Sequence, residues 1–322
     1  MDTSSGPAIS PAVTVIIPFY NRARFVASAV RTLECQTFKD FELVVVDDGS
    51  QDDLAAGIRS IRTPICIRLL QLSQNCGAAS ARNAGIDAAR GRYVAFLDSD
   101  DAWESDKLRQ QAAHLERATD SDRLVSLTRQ LVVGARTYVV PRRLFAGNES
   151  VGRYLFQSGG VIQTSMMFMT TGLARSVRFP DGGRGHDDWS FALRLEKAGA
   201  RFEMLPQVLT VYNDAPGRAR RSPAYSHERF QWLEQWRPQL GEAPYFAARA
   251  AFAANMGEAR SREHLGMIAD ACLRRAIPPW RAAYYTANWF FPSLRTICVP
   301  AWQTWLSLRR LPRPVSPKIG SG

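Results

Sequence analysis

The feature that most constrains this chain is a series of short apolar runs, three of which end in clustered polar or acidic residues. VTVII (Val13 to Ile17) stops at Pro18, FELVVVDD (Phe41 to Asp48) stops at two aspartates, and RYVAFLDSDD (Arg92 to Asp101) stops at three. Runs this short and this apolar suit strands buried on both faces. A further strand is expected over Ile65 to Leu72. Between the runs lie helical stretches: Ala23 to Glu34, a segment opened by Gly49-Ser50, and an Ala-rich stretch opened by Asn75-Cys76-Gly77 and closed by Gly91 as a C-cap. Strands alternating with helices define an α/β fold with a mostly parallel sheet. Such sheets bind ligands beyond the carboxyl ends of their strands. Pro18-Phe19-Tyr20-Asn21, Asp47-Asp48 and Asp98-Ser99-Asp100-Asp101 all fall at that edge.

After about residue 110 the pattern is less regular. A strand is expected within residues 160–170, a helix from Asp187 to Ala198 capped by Gly199, and a strand from Phe202 to Tyr212. A polar, Arg-rich loop follows, and from His227 onward the chain reads as helical, aromatic and basic. The expected organisation is a flexible N-terminus over 1–11, an α/β domain over 12–225 with halves at 12–110 and 111–225, and a C-terminal helical region over 226–322.

Charge follows the same division. Residues 1–110 carry 12 Lys/Arg against 14 Asp/Glu, whereas residues 241–322 carry 11 against 4. A basic C-terminus suits an anionic partner, and the acidic front half argues against nucleic acid. Residues 280–313 interleave Trp280, Tyr284, Tyr285, Trp289, Phe290, Phe291, Trp302 and Trp305 with Arg281, Arg295, Arg309, Arg310 and Arg313. That mixture suits an anionic membrane interface, the alternative being a helical subdomain packed on the rest of the chain. No uncharged apolar stretch is long enough to span a bilayer, and Met1 to Pro11 does not read as a secretory leader. Five scattered cysteines without a CxxC spacing suit reduced thiols and exclude a structural zinc site. The expected setting is cytoplasmic, peripheral on the cytoplasmic face of the inner membrane.

Three carboxylates within Asp98-Ser99-Asp100-Asp101 repel one another, and a hard divalent cation, Mg²⁺ or Mn²⁺, offsets that repulsion while sharing oxygens with a phosphate. The competing explanation is a solvated acidic turn with Asp101 capping a helix over Trp103 to Leu115. Asp48 is placed to accept a pyrimidine N–H or to cap a helix. Arg82 is placed to meet a diphosphate or to sit on the surface. Asp187 and Asp188 open a helix, where they complement its dipole or act as a general base.

Taken as an ordered set, VTVIIPFYNRARFVASAVRTLECQTFKDFELVVVDDGSQD, NCGAASARNAGIDAARGRYVAFLDSDDAWESDKL and GHDDWSFALRLEKAG resemble the successive blocks of the family 2 glycosyltransferases. The resemblance spans Ala12 to Tyr212. It implies a GT-A fold, a nucleotide-diphosphate sugar donor (UDP-sugar favoured) and inversion at the anomeric carbon. Pro18, Tyr20 and Asn21 match the nucleobase segment, Asp48 the acid that reads uracil, and Arg82 a residue near base and diphosphate. Asp98 and Asp100, with Ser99 between them, match the DxD pair that contacts ribose and, with Asp101 adjacent, the metal. Asp188 matches the catalytic base, and Asp187 stands where Glu is usual. Gln163, Thr164 and Ser165 match a strand near the acceptor side, and Trp189 of the third block is placed in the same acceptor region. The histidine that often follows the last strand is replaced by Asn213-Asp214, and the QxxRW signature of processive polymerases is absent. The implied reaction is transfer of one sugar to a saccharide, most simply a lipid-linked one, in cell-surface polysaccharide assembly. The alternatives are a nucleotidyltransferase, against which PFYNRAR lacks a Gly-rich phosphate loop, and a non-catalytic nucleotide-sugar-binding protein on the same fold.

Overall fold

The computed structural model describes residues 10–51, 61, 63–181, 185–214, 223–256 and 261–290. The first half runs β1 (Val13–Phe19), α1 (Ala23–Glu34), β2 (Phe41–Asp47), β3 (Ile67–Gln71), α2 (Ala78–Ala88), β4 (Tyr93–Phe96), β5 (Ala102–Trp103) and α3 (Lys107–Arg117). The second half runs β6 (Leu124–Val133), β7 (Tyr138–Val140), β8 (Phe168–Thr170), α4 (Thr171–Val177), α5 (Asp187–Lys197) and β9 (Arg201–Asn213). Four helices close the described chain: α6 (Pro223–Leu240), α7 (Glu242–Ala254), α8 (Arg262–Leu273) and α9 (Pro279–Phe290).

The strands form one sheet in the order β3-β2-β1-β4-β8-β6-β9-β5, with β7 on β6. β3, β2, β1 and β4 are parallel, and the strand joining them to the second half, β8, is antiparallel to β4. Alternate residues of the central strands feed two cores. Val13, Val15 and Ile17 of β1 pack with α1 and α3, while Ile16, Val44 and Phe96 pack with α2 and α5. Each fully buried Val, Ile or Leu contributes about 1.5–3 kcal/mol relative to exposure. The sheet centre is therefore a stiff base for the loops at its carboxyl edge.

Several expectations change in detail. β1 runs through Pro18 to Phe19 instead of stopping at Ile17. Ile16 accepts the Leu97 N–H on the β4 side, and Pro18 points the same way just past the end of β4, where no N–H is required. The Ala-rich helix ends at Ala88, not at Gly91. Gly91 instead lies against β1, where a Cβ would come within 2.5 Å of the Thr14 nitrogen. The expected helix over Trp103 to Leu115 begins only at Lys107, because Ala102 and Trp103 pair with β9 as β5. Within 160–170 only Phe168–Thr170 is strand, preceded by a 3₁₀ turn at Thr164–Met166. The helix expected after Gly49-Ser50 lies outside the described residues.

The C-terminal helices share the core on the α2 and α5 side of the sheet: Trp232, Leu233, Phe246 and Phe252 belong to the same cluster as Ile16 and Phe96. α9 packs on α7 and α8, with Ala282 and Tyr285 against that core. Arg281 donates to the carbonyls of Phe156 and Gln157. Thus residues 279–290 of the expected membrane segment are a packed helix, while Phe291, Arg295, Trp302, Trp305, Arg309, Arg310 and Arg313 lie outside the described residues. No helix among the described residues is long and apolar enough to cross a membrane.

Candidate active site

A cleft of about 560 Å³ opens at the carboxyl edge of the parallel strands. Pro18 and Tyr20 border it from the end of β1, Asp48 from the end of β2, Arg82 from α2, and Asp98, Ser99 and Asp100 from the turn after β4. Three segments distant in sequence meet here because parallel pairing stacks their carboxyl ends. Arg22 and Gly185 also line the cleft. Sequence reasoning missed both, although Arg22 directly follows the polar segment beyond β1.

At one end, Asp48 accepts the backbone N–H groups of Cys76 and Gly77, one on each carboxylate oxygen, both at 2.8 Å. These contacts hold the start of α2 against the end of β2. Each oxygen keeps a further lone pair for a ligand N–H. Asp47 is structural, accepting the Ser50 N–H at 2.9 Å. Asn21 sits in the left-handed region at φ 50°. It is not among the residues that line the cleft and joins two loops: its N–H donates to Ser50 Oγ and its Oδ1 accepts from the Gln51 N–H.

Arg82 lies at the centre and is buried. Its Nη2 pairs with Asp98 at 2.6 Å and its Nη1 approaches Asp187 at 3.7 Å. Burial opposes its charge, but Asp98 and Asp187 more than compensate and hold its pKa above the ordinary value. Its buried Nε has no hydrogen-bond partner among the described residues.

The turn after β4 is fixed from beneath. Asp98 N–H donates to Ser165 Oγ, whose hydroxyl donates to Asp101 Oδ2 at 2.7 Å. Gln163 Nε2 also donates to Asp101, at 3.2 Å, and Thr164 is buried beside it. Asn213, at the end of β9, donates to the Asp100 carbonyl at 2.7 Å. Asp101 is therefore turned inward as an anchor, away from the cleft and away from the helix it was placed to cap. Gln163 and Thr164 likewise lie under the turn. Asp98 and Asp100 face the cleft, Asp100 paired with Arg22 at 3.0 Å.

The second acidic pair approaches from the other side. Gly185 and His186 adopt positive φ, turning the chain into α5 with Asp187 and Asp188 in its first turn. Asp188 accepts the Trp189 N–H at 2.9 Å. Burial pushes its carboxyl up to about 7, the Trp189 N–H and Arg82 opposing and Asp187 and Asp98 reinforcing. Burial raises Asp187 too, against the pull of Arg82. A carboxylate near 7 is suited to take a proton at neutral pH. The Trp189 indole packs into the core beside Phe156 and Trp232 and is not among the cleft residues.

No group of three metal-ligating side chains occurs among the described residues. Asp98 and Asp100 supply hard oxygens from one side only, which suits Mg²⁺ or Mn²⁺ completed by phosphate and water, and does not suit a cation held by protein alone.

The carboxyl edge of the parallel strands thus carries Asp98, Asp100 and the buried Arg82 on one cleft, with the second acidic pair joined to that arginine through Asp187. The sequence matches the Glycosyl transferase family 2 profile over residues 14–170. It is 32% identical over 246 residues to the amylovoran biosynthesis glycosyltransferase AmsB of Erwinia amylovora, covering 74% of this chain and 81% of that one. It is 42% identical over 128 residues to the succinoglycan biosynthesis protein ExoO of Rhizobium meliloti, covering 38% of this chain and 36% of that one. The fold resembles S. aureus TarS 1–349 in complex with UDP-GlcNAc, with a TM-score of 0.59 at 22% identity and 83% and 81% coverage of the two chains. The chain belongs to glycosyltransferase family 2, and it has the GT-A fold.

Proposed function

We propose that this chain transfers one sugar from a UDP-sugar to a saccharide hydroxyl, with inversion at the anomeric carbon, in assembly of a cell-surface polysaccharide. The observation that carries this reading is the position of Arg82, which lines the cleft and is paired with Asp98 on one side and Asp187 of the second acidic pair on the other. Polysaccharide assembly draws support from the amylovoran and succinoglycan relatives, and UDP-sugar use from the UDP-GlcNAc and UDP complexes of TarS. A lipid-linked acceptor on an anionic, cytoplasmic membrane face is the reading that fits the basic, aromatic composition of residues 291–322.

In this reading Asp48 takes the uracil N–H, Pro18 and Tyr20 border the base, and Asp98 with Ser99 meets the ribose. Asp100 would hold Mn²⁺ or Mg²⁺, and that cation would offset negative charge on the leaving diphosphate. Arg82 supplies a fixed positive charge beside that diphosphate, already oriented by its carboxylate partners. Asp188 accepts the acceptor hydroxyl proton as that oxygen attacks from the face opposite the nucleotide. Asp187 keeps the local potential negative, which favours the protonated state of Asp188 after transfer. Gln163 and Thr164 shape the acceptor side from below the acidic turn.

The test is a thermal-shift panel of UDP-, GDP- and dTDP-sugars with Mn²⁺, followed by product analysis with the best donor. A ligand at a hundred times its dissociation constant stabilises by about 2.7 kcal/mol. A shift with UDP-sugars is expected. Stabilisation by GDP- or dTDP-sugars alone would overturn the donor assignment.

A further inference from the structure

The first turn of α5 is gripped on its inner side by aromatic residues from the C-terminal helices. The His186 and Trp189 rings, which bracket Asp187 and Asp188, stack at 4.2 Å with planes 10° apart. Both lie nearly parallel to Phe252 of α7, at 5.8 and 6.3 Å. Trp232 of α6 meets Trp189 edge-on at 5.7 Å, and Phe156 does so at 5.3 Å. The grip also has a directional contact: Trp232 Nε1 donates to Ser190 Oγ at 2.7 Å, and both residues are buried.

We propose that Trp232, through its bond to Ser190, is a positioning residue for the transfer reaction, so that the C-terminal helices form part of the catalytic unit. The inference rests on the reading of Asp188 as the base. His186 leaves the preceding loop at φ 58°, a conformation that costs a non-glycine residue free energy unless its surroundings impose it. The ring stack supplies that constraint: His186 lies over Trp189, one turn into the helix, and Phe252 completes the stack. The Ser190 bond then fixes the rotation of α5 about its axis, which sets where the carboxylates of its first turn point. Aromatic pairs contribute about 0.5–1.5 kcal/mol each beyond area burial, so several acting on one turn hold it firmly. Both α6 and α7 lie outside the residues 14–170 matched by the family profile. α5 lies beyond that range as well, so the second acidic pair and the helices packed on it belong to the same part of the chain.

The experiment uses the full chain carrying Ser190→Ala, Trp232→Phe, both together, or Asp188→Asn. UDP release from the UDP-sugar identified by thermal shift is measured with water as acceptor, alongside UDP affinity and melting temperature. Ser190→Ala and Trp232→Phe each remove the same directional bond. Each is expected to lower kcat by about 10-fold, because small displacements of a reacting group are costly. KM for the donor should stay within about twofold, since the donor cleft is formed by other elements. The double variant should be no worse than Trp232→Phe alone. Unchanged kcat in both single variants, or a rise in KM at constant kcat, would overturn the proposal. If Trp232→Phe fails to fold, Ser190→Ala decides alone, being nearly isosteric. Wild-type turnover in Asp188→Asn would instead overturn the base assignment, a result distinct from failure of the positioning argument.

Discussion

At Asp188 a helix N-terminus and Arg82 favour the carboxylate, while burial and Asp187 oppose it, and burial wins. Two consequences follow in opposite directions. As the proposed base, Asp188 works only when ionised, so turnover should rise with pH through about 7 and level off above it. Asp188→Asn should lower turnover by about 10² or more with donor affinity little changed, as steady-state kinetics would show. For stability, the folded-state pKa lies above the ordinary 3.8, so the contribution of this group is fully present below about pH 4 and is lost as pH rises through about 7. Calorimetric melting should therefore find Asp188→Asn more stable than wild type at pH 8 and no more stable at pH 4. Asp101 makes a contrasting prediction. Asp101→Ala leaves the Ser165 hydroxyl and the Gln163 amide without their buried acceptor, and should cost about 1–3 kcal/mol or more of stability in denaturant titration.

Among the elements, β1, β2 and α1 were legible in the sequence because their apolar patterns are dense and their ends are marked by polar clusters. β6 was not, although it pairs with both β8 and β9 and its first five residues are buried. Its sequence, LVSLTRQLVV, mixes polar residues into both faces, and the buried ones are satisfied by distant partners: Ser126 by Gln111 and Thr128 by Thr210. Such partners carry no local signal. The same reason hid the inward orientation of Asp101, since Ser165 and Gln163 lie more than sixty residues away. The convergence of the segments after β1, β2 and β4, with Pro18, Asp48 and Asp98, was legible because parallel pairing brings those strand ends together, whereas the burial of Arg82 on α2 was not. Gly49 tests how tightly the end of β2 is joined to the start of α2. It holds φ 74°, and a Cβ there would lie 2.4 Å from the Gln74 carbonyl carbon. Gly49→Ala should lower stability by about 2 kcal/mol or more and weaken UDP binding, because relief of the clash moves the segment that Asp48 holds. Wild-type melting and affinity in that variant would contradict the tight junction.

Over the whole molecule, the sheet and the C-terminal helices share one core, so cuts at different points have different outcomes. Truncation before Trp280 removes most of α9 with its Arg281 contacts and should lower the melting temperature. Truncation after Phe290 removes Arg295, Arg309, Arg310, Arg313 and Lys318, together with Trp302 and Trp305, and keeps every residue that lines the cleft. Each interfacial basic residue is worth about 1 kcal/mol of attraction to an anionic leaflet. Full-length protein should float with anionic vesicles at low salt and the 1–290 form should not. Failure of the full-length protein to float would end the membrane reading. The central claim, that the acid-edged cleft holds a nucleotide sugar through the turn after β4, is tested most directly by calorimetric titration of UDP with Mn²⁺ into wild type, Asp98→Asn and Asp100→Asn. The account predicts Mn²⁺-dependent binding by the wild type, weakened by about 10-fold or more in each variant with the fold unchanged. Equal UDP affinity in all three proteins would contradict it.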